Sequence, residues 1–472
     1  MIQFGIYILS MIAFFSNADD PYVRPIDKST CPLLESVVFT IAKNTNADYV
    51  EYRLYTKLNP ENYQIINNET DIHQTNYNPN HKTIFLVHGY RSSPDSYWGL
   101  YMKSGFLQKY DYNVIIVDWK YGANQFYAPY AIAHAYATGK EIAKTINLLV
   151  RETNTSLNRF HLIGFSLGGQ VVAFAGKNLN KVGRITSLDP AGPCFIFFSP
   201  EHRIHHTDAD FVDVIVTNAG GYSLARPVGH VYFYVNGGRA QKSCADDILS
   251  QIENRKHNEL VLDGCSHNTA PQYFTESILA EQCLMIGHKC DDYYSFMSGD
   301  CADCGEDGKK CAIMGINADE YIPRMENNTQ EFYLETNFDY PSCLFHYQVT
   351  VKTSNNENIT QHGKLTLLFE GQDHNILKHL DKYFELFEPG GRYTYLITNS
   401  FDIDLSASVR FKWFRIRSEF SNNTNLFVDC IKVVKMNNLL RNRSNVTSWF
   451  RGENIPIPPG REIIFHRSNI DC

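Results

Sequence analysis

From residue 83 to about 235, short apolar, β-branched runs alternate with longer stretches of helical periodicity, and this alternation is the tightest constraint on the fold. The runs are 83–88 (TIFLVH), 113–118 (NVIIVD), 160–164 (FHLIG), 184–188 (RITSL) and 212–217 (VDVIVT). Residues 126–152 carry apolar side chains at helical spacing, with Lys140, Glu141 and Lys144 on the opposite face. Strands that are apolar throughout need cover on both faces, which predicts a mostly parallel sheet between helices. The expected class is α/β, with ligands at the carboxyl ends of the strands.

After Ala312 the pattern changes. Residues 325–340 lack periodicity and read as a linker. Beyond them come strands without long helices, at 347–353, 364–370, 393–398, 407–416 and 426–436. Their alternation predicts a separate antiparallel β-sandwich. The 472 residues therefore read as a leader over 1–18, an α/β domain over 19–335 and a β-sandwich over 343–472. The leader rests on the apolar run from Phe4 to Phe15 and the small-x-small site Ser16-Asn17-Ala18. Its first residues lack Lys and Arg, so a buried N-terminal helix is the alternative reading. No later stretch reaches the 18 or so apolar residues that a transmembrane helix needs.

Seven Asn-x-Ser/Thr sequons (Asn68, Asn154, Asn327, Asn358, Asn422, Asn442, Asn445) and 12 cysteines suit a secreted chain in an oxidising compartment. With 43 basic against 51 acidic residues, the net charge of −8 argues against nucleic acid or an anionic membrane as the main partner.

The chemistry concentrates in Gly164-Phe165-Ser166-Leu167-Gly168-Gly169, which follows the run FHLIG and opens the helical stretch QVVAFAGK. A Gly-x-Ser-x-Gly turn between strand and helix is the setting of a nucleophile elbow. The helix N-terminus would set positive dipole and N–H groups where an oxyanion forms. A serine nucleophile needs a base, and the base an orienting acid. The run RITSL ends in Asp189-Pro190-Ala191-Gly192-Pro193, which puts Asp189 on the same rim as Ser166. For the base, His202, His205 and His206 stand in a polar loop, and His267 lies two residues after Cys265. A bridge from Cys265 to Cys244 would anchor the loop of His267 and contribute about 3 kcal/mol by loop closure. Spacing alone leaves these histidines open.

The segments GFSLGG, LDPAGPCF, DADFVDVI, HVYFYVNGG and CSHNTAPQYFTESIL together resemble the pancreatic lipase family of α/β hydrolases. The resemblance runs from about residue 80 to the C-terminus, and the last 130 or so residues look like that family's PLAT β-sandwich. It implies an α/β-hydrolase domain followed by the sandwich. Ser166 would be the nucleophile, Asp189 the acid and His267 the base, with the backbone N–H groups of Tyr90 and Leu167 as the oxyanion hole. Cys244 and Cys265 would bracket a lid whose apolar face carries Ile248, Leu249 and Ile252.

The lid length resembles that of triacylglycerol hydrolases, whereas the short loop at 217–228 resembles phospholipases A1. A secreted triacylglycerol lipase acting at lipid–water interfaces is the first expectation, phospholipase A1 the second, and a non-catalytic lipid carrier on the same fold the third. The resemblance also implies a structural calcium held by Glu201, Arg203 (through its carbonyl) and Asp208, although His205 stands where the family has an aspartate. No organic cofactor is expected. The basic run Arg410, Lys412, Arg415 and Arg417, interleaved with Phe411, Trp413 and Phe414, is a candidate face for headgroups or a polyanion, alongside a colipase-like partner. A half-buried strand with one charged face gives the same alternation. The implied bridges are Cys244–Cys265, Cys290–Cys301, Cys304–Cys311 and Cys430–Cys472. Cys194 would be an unpaired thiol, with Cys31, Cys283 and Cys343 unassigned.

Overall fold

A computed structural model describes residues 31–245, 264–320, 329–355, 360–370, 375–380, 384–406, 408–416, 425–440, 443–452 and 456–471. The leader at 1–18, the lid residues Ile248, Leu249 and Ile252, and Arg417 and Cys472 lie outside them. The chain forms two compact units, residues up to 281 with 314–332, and residues 282–313 with 333 onward.

In the first unit, eight consecutive strands of the sheet follow one another in the order β8-β7-β6-β5-β3-β4-β1-β2. These are β1 (Glu51–Tyr55), β2 (Gln64–Ile65), β3 (Thr83–Val87), β4 (Asn113–Asp118), β5 (Phe160–Phe165), β6 (Val182–Leu188), β7 (Ala209–Val216) and β8 (Val231–Val235). From β4 through β3, β5, β6 and β7 to β8 every pairing is parallel, and β1 and β2 add an antiparallel edge. The longer helices are α1 (Cys31–Ala42), α2 (Tyr97–Lys109), α3 (Ala128–Thr153), α4 (Leu167–Lys177) and α5 (Gly264–Leu279).

Each residue of β3, β4 and β5 is buried, as strands covered on both faces require. Phe85 and Val87 join the core cluster that holds α1, α3 and α4 side chains, where Phe39, Tyr136 and Phe174 meet edge to face. Ile84 and Leu86, one residue out of phase, turn to the other face, the side on which Phe106 of α2 meets Phe274 of α5. Helix α3 starts two residues after the periodicity predicted, because Pro129 sits in its first turn.

Two segments depart from the sequence expectation. Residues 330–334 (QEFYL), read as linker, form a strand with Phe332 and Leu334 buried, the charged Glu331 masking its period of two. Strand β1 escapes the sequence pattern through Arg53, which is buried because Glu51, Asp95 and Asp118 all accept from its guanidinium at 2.8–3.0 Å.

From Phe345 onward the second unit holds a β-sandwich built from one antiparallel sheet. Among the described residues its order is Ile376–His379, Gln361–Phe369, Ser408–Arg415, Ile463–Ser468, Thr447–Arg451, Val428–Lys435, Phe345–Thr353 and Arg392–Asn399, with Glu385–Phe387 paired to Gln361–Phe369. Val349, Leu365, Leu367, Phe411, Trp413, Ile431 and Phe465 fill its core. The basic run lies on Ser408–Arg415, where Phe411 and Trp413 point inward and Phe414 outward. Arg410 pairs with Glu370 at 2.6 Å, and both Arg410 and Lys412 reach Glu462. Those partners are what a charged strand face requires for solvation.

Among the described residues five disulfides form: Cys31–Cys194, Cys244–Cys265, Cys283–Cys343, Cys290–Cys301 and Cys304–Cys311. Cys430 is also disulfide-bonded. The expectation of an unpaired Cys194 is thereby corrected. Helix α1, placed against α3, delivers Cys31 to within 5.2 Å (Cα to Cα) of Cys194, a contact separated by 163 residues that spacing could not reveal. No helix among the described residues is long and apolar enough to cross a membrane.

Candidate active site

Ser166 stands between β5 and α4 with φ 57° and ψ −122°, a conformation that costs a non-glycine residue about 1–3 kcal/mol and persists only where neighbours enforce it. Two backbone bonds do so. Ser166 N–H donates to Leu188 O and its own carbonyl accepts from Ala191 N–H, both at 3.0 Å, so the turn is tied to residues on either side of Asp189. The first turn of α4 presses on the end of β3, where a Cβ on Gly168 would lie 2.2 Å from Val87 O. That approach admits only glycine at the last position of Gly-x-Ser-x-Gly.

The turn after β3 comes equally close. A Cβ on Gly89 would fall 2.7 Å from Ser166 Cβ and 3.2 Å from its Oγ, so Gly89 lets the backbone leading to Tyr90 run beside the serine. Trp119 Nε1–H donates to His88 O at 2.9 Å and holds this turn from below. His88 donates from Nδ1 to Gly89 O at 3.1 Å, and its buried Nε2 has no partner among the described residues. Burial pushes the pKa of His88 down to about 4, so the ring is neutral. Tyr90 is half-buried, with its hydroxyl donating to Gln125 O at 3.1 Å. Leu167 is the buried first residue of α4.

Asp189 follows β6 with φ 45° and no exposure. Its Oδ1 accepts the N–H groups of Thr217 and Asn218 at 2.7 and 2.9 Å, and Oδ2 accepts from His267 Nδ1 at 2.5 Å. The carboxylate is thus satisfied by fixed backbone dipoles on one side and one imidazole on the other. His267 lies in the first turn of α5, two residues from the Cys244–Cys265 bridge. Its ring rests between Phe165 and Tyr222, with centroids at 4.7 and 5.1 Å. An imidazole that donates through Nδ1 carries its lone pair on Nε2, the state a general base requires.

Of the histidines left open by spacing, His267 meets Asp189. His202 instead bonds Glu35 at 2.7 Å and stacks on Phe39, while His205 and His206 lie together on the loop before β7. Sequence reasoning missed the residues that hold the rim. Gln241 donates from Nε2 to Thr217 O and Val235 O, accepts from Tyr273 and Asn236, and donates its own N–H to Ser266 Oγ, tying the loop that bonds Asp189 to the helix of His267. Gln170 bridges Ala191 O and Ile204 N–H. Buried glutamines belong to no motif and signal themselves only once their partners are in place.

A family model described as Lipase matches residues 27–341. Pancreatic triacylglycerol lipase of Mus musculus is 33% identical over 385 residues, covering 77% of this chain and 79% of the relative. The chain belongs to the pancreatic lipase family. Pancreatic lipase-related protein 2 of Homo sapiens is 31% identical over 378 residues (77% of this chain, 78% of the relative), and lipase member H-A of Xenopus laevis 33% over 348 residues (72% and 73%). As a lipase-family hydrolase, the protein carries the elbow, the buried Asp189–His267 pair and the Gly89 turn on one rim of its sheet.

Proposed function

We propose that the protein is a secreted lipase that hydrolyses triacylglycerol esters at lipid–water interfaces through an acyl-enzyme. The observation that carries this reading is the buried Asp189–His267 hydrogen bond on the rim that also holds Ser166 in its elbow. His267 Nε2 takes the Ser166 proton while Oγ attacks the ester carbonyl carbon. The oxyanion is held by the N–H groups of Tyr90 and Leu167, each worth about 2.7–4 kcal/mol in comparable sites. Collapse expels the glycerol oxygen, which takes the proton from His267, and water then repeats the sequence on the acyl-serine and releases the fatty acid. Asp189, already bonded to Nδ1, stabilises each imidazolium.

Phospholipase A1 activity is the second reading, favoured by the brevity of the connection between β7 and β8. The disulfides and the leader support an extracellular location. Purified protein assayed on triacylglycerol emulsions and on phosphatidylcholine vesicles, with Ser166→Ala as control, tests both readings. Emulsion activity lost in Ser166→Ala is the expected result. Vesicle activity alone would replace the first reading with the second, and activity surviving in Ser166→Ala would overturn the nucleophile.

A further inference from the structure

The family resemblance places a calcium ion in the loop after the catalytic acid, so that loop is where the donor set can be compared with what a divalent cation needs. Calcium takes six to eight oxygen ligands, several of them anionic. Here the buried carboxylate of the loop is already spoken for. Asp208 Oδ1 is paired with the ammonium of Lys177, the last residue of α4, and the two side chains are 1% and 17% exposed. Asp208 Oδ2 accepts the backbone N–H of His205 at 2.8 Å. His205, where the resemblance would put an aspartate, turns its Nδ1 to Thr207 Oγ1 at 2.9 Å and supplies no anionic oxygen. Glu201 is exposed. No group of three or more His, Cys, Asp or Glu side chains suited to a metal occurs among the described residues. The residues do not fit calcium.

They do fit a cation carried by the chain itself. The end of α4 seats directly on the loop, where a Cβ on Gly176 would lie 2.3 Å from Asp208 O. This close seating brings the next residue, Lys177, to the Asp208 carboxylate. The loop it closes also bonds Ile204 N–H to Gln170, which holds Ala191 beside Asp189. We infer that the Lys177 ammonium is the resident cation of the 201–208 loop, doing internally what a divalent ion would do from solution, so that this lipase holds its rim without calcium.

The test uses the full chain stripped with EDTA and then titrated with calcium chloride, followed by thermal unfolding and calorimetry. The expected result is an unfolding temperature that is the same in EDTA and in millimolar calcium. Lys177→Met, which leaves Asp208 buried without its partner, should unfold on the order of 10 °C lower, while the exposed-site control Lys181→Met should not. A drop of several degrees when the wild type is chelated would overturn the inference. So would a stoichiometric calcium in the wild type that Asp208→Asn removes, or an unchanged unfolding temperature in Lys177→Met. If Lys177→Met does not fold, the wild-type chelation and calorimetry still decide.

Discussion

Strand β6 is flanked by two carboxylates with no solvent exposure, Asp189 just past its carboxyl end and Asp213 across from Thr186 in β7. Asp213 faces Arg184, whose Nε and Nη2 donate to its two oxygens at 2.8 and 3.0 Å, and Thr186 Oγ1 adds a third bond at 2.8 Å. The guanidinium spends its remaining donors on Gly315 O, Ile316 O and Asp319 Oδ1 at 2.6, 2.5 and 3.3 Å. Each carboxylate oxygen in that network meets a fixed donor, and the guanidinium does not give up its proton. Asp189 is matched just as completely, but its partner is an imidazole, a group that can take a proton at one ring nitrogen while the other stays bonded to the carboxylate. Burying a carboxylate is therefore compatible with either structure or chemistry, and the partner decides which.

The largest expected effect separates the two roles at Asp189. Asp189→Asn should lower ester hydrolysis by about 10⁴-fold, because the imidazole loses the acceptor that fixes its tautomer. Circular dichroism should show the fold retained. A loss of only a few-fold would move Asp189 into the structural class with Asp213.

Arg184→Met should do the reverse. Leaving Asp213 buried and unpaired costs about 3–5 kcal/mol of stability, read as a lower urea midpoint. The turnover of the folded fraction should stay the same. Reduced turnover at unchanged stability would erase the distinction between the two carboxylates.

Acid acts on His88 and not on Arg184. The pKa of His88 is depressed from its ordinary 6.5 to about 4, so the unfolded chain binds its proton first as pH falls. The stability this neutral ring contributes is complete above pH 6.5 and declines through the interval from 6.5 to about 4, by about 3 kcal/mol in total. Urea midpoints measured across that interval check the sign. In His88→Asn the slope should flatten by that share, and an unaltered slope would show that His88 is not the group responsible.

The smallest effect is expected at Tyr90, which contributes to the proposed oxyanion hole only through its backbone. Tyr90→Phe forfeits the hydroxyl bond to Gln125 O, worth about 0.5–1.5 kcal/mol of local stability, and should leave ester hydrolysis within about threefold of wild type. A fall as large as that of Asp189→Asn would assign the side chain a part in the reaction.

Much of the catalytic unit was legible from the order of residues. The apolar runs at 83–88 and 113–118 read as buried strands because both faces of a covered sheet must be apolar, and β3 and β4 are buried throughout. Glycines flanking Ser166 read as an elbow because only a residue without a Cβ tolerates backbone at the distance seen between Gly168 and Val87. Segments with charge inside the pattern were not legible. Arg53 in β1 and Glu331 in the strand at Gln330–Leu334 break the alternation, and their acceptable burial depends on partners distant in sequence or on one exposed face.

By itself the sequence determined the α/β class, the β-sandwich that follows, and the strand ends on which Ser166 and Asp189 stand, because periodicity and turn chemistry act over a few residues. Spacing left open which histidine meets Asp189 and only the resemblance pointed to His267, whereas tertiary structure alone decided that Cys194 pairs with Cys31 and that Lys177 closes on Asp208. Each of these contacts joins residues 31 to 163 positions apart, and no local preference encodes which distant side chain arrives when the layers pack.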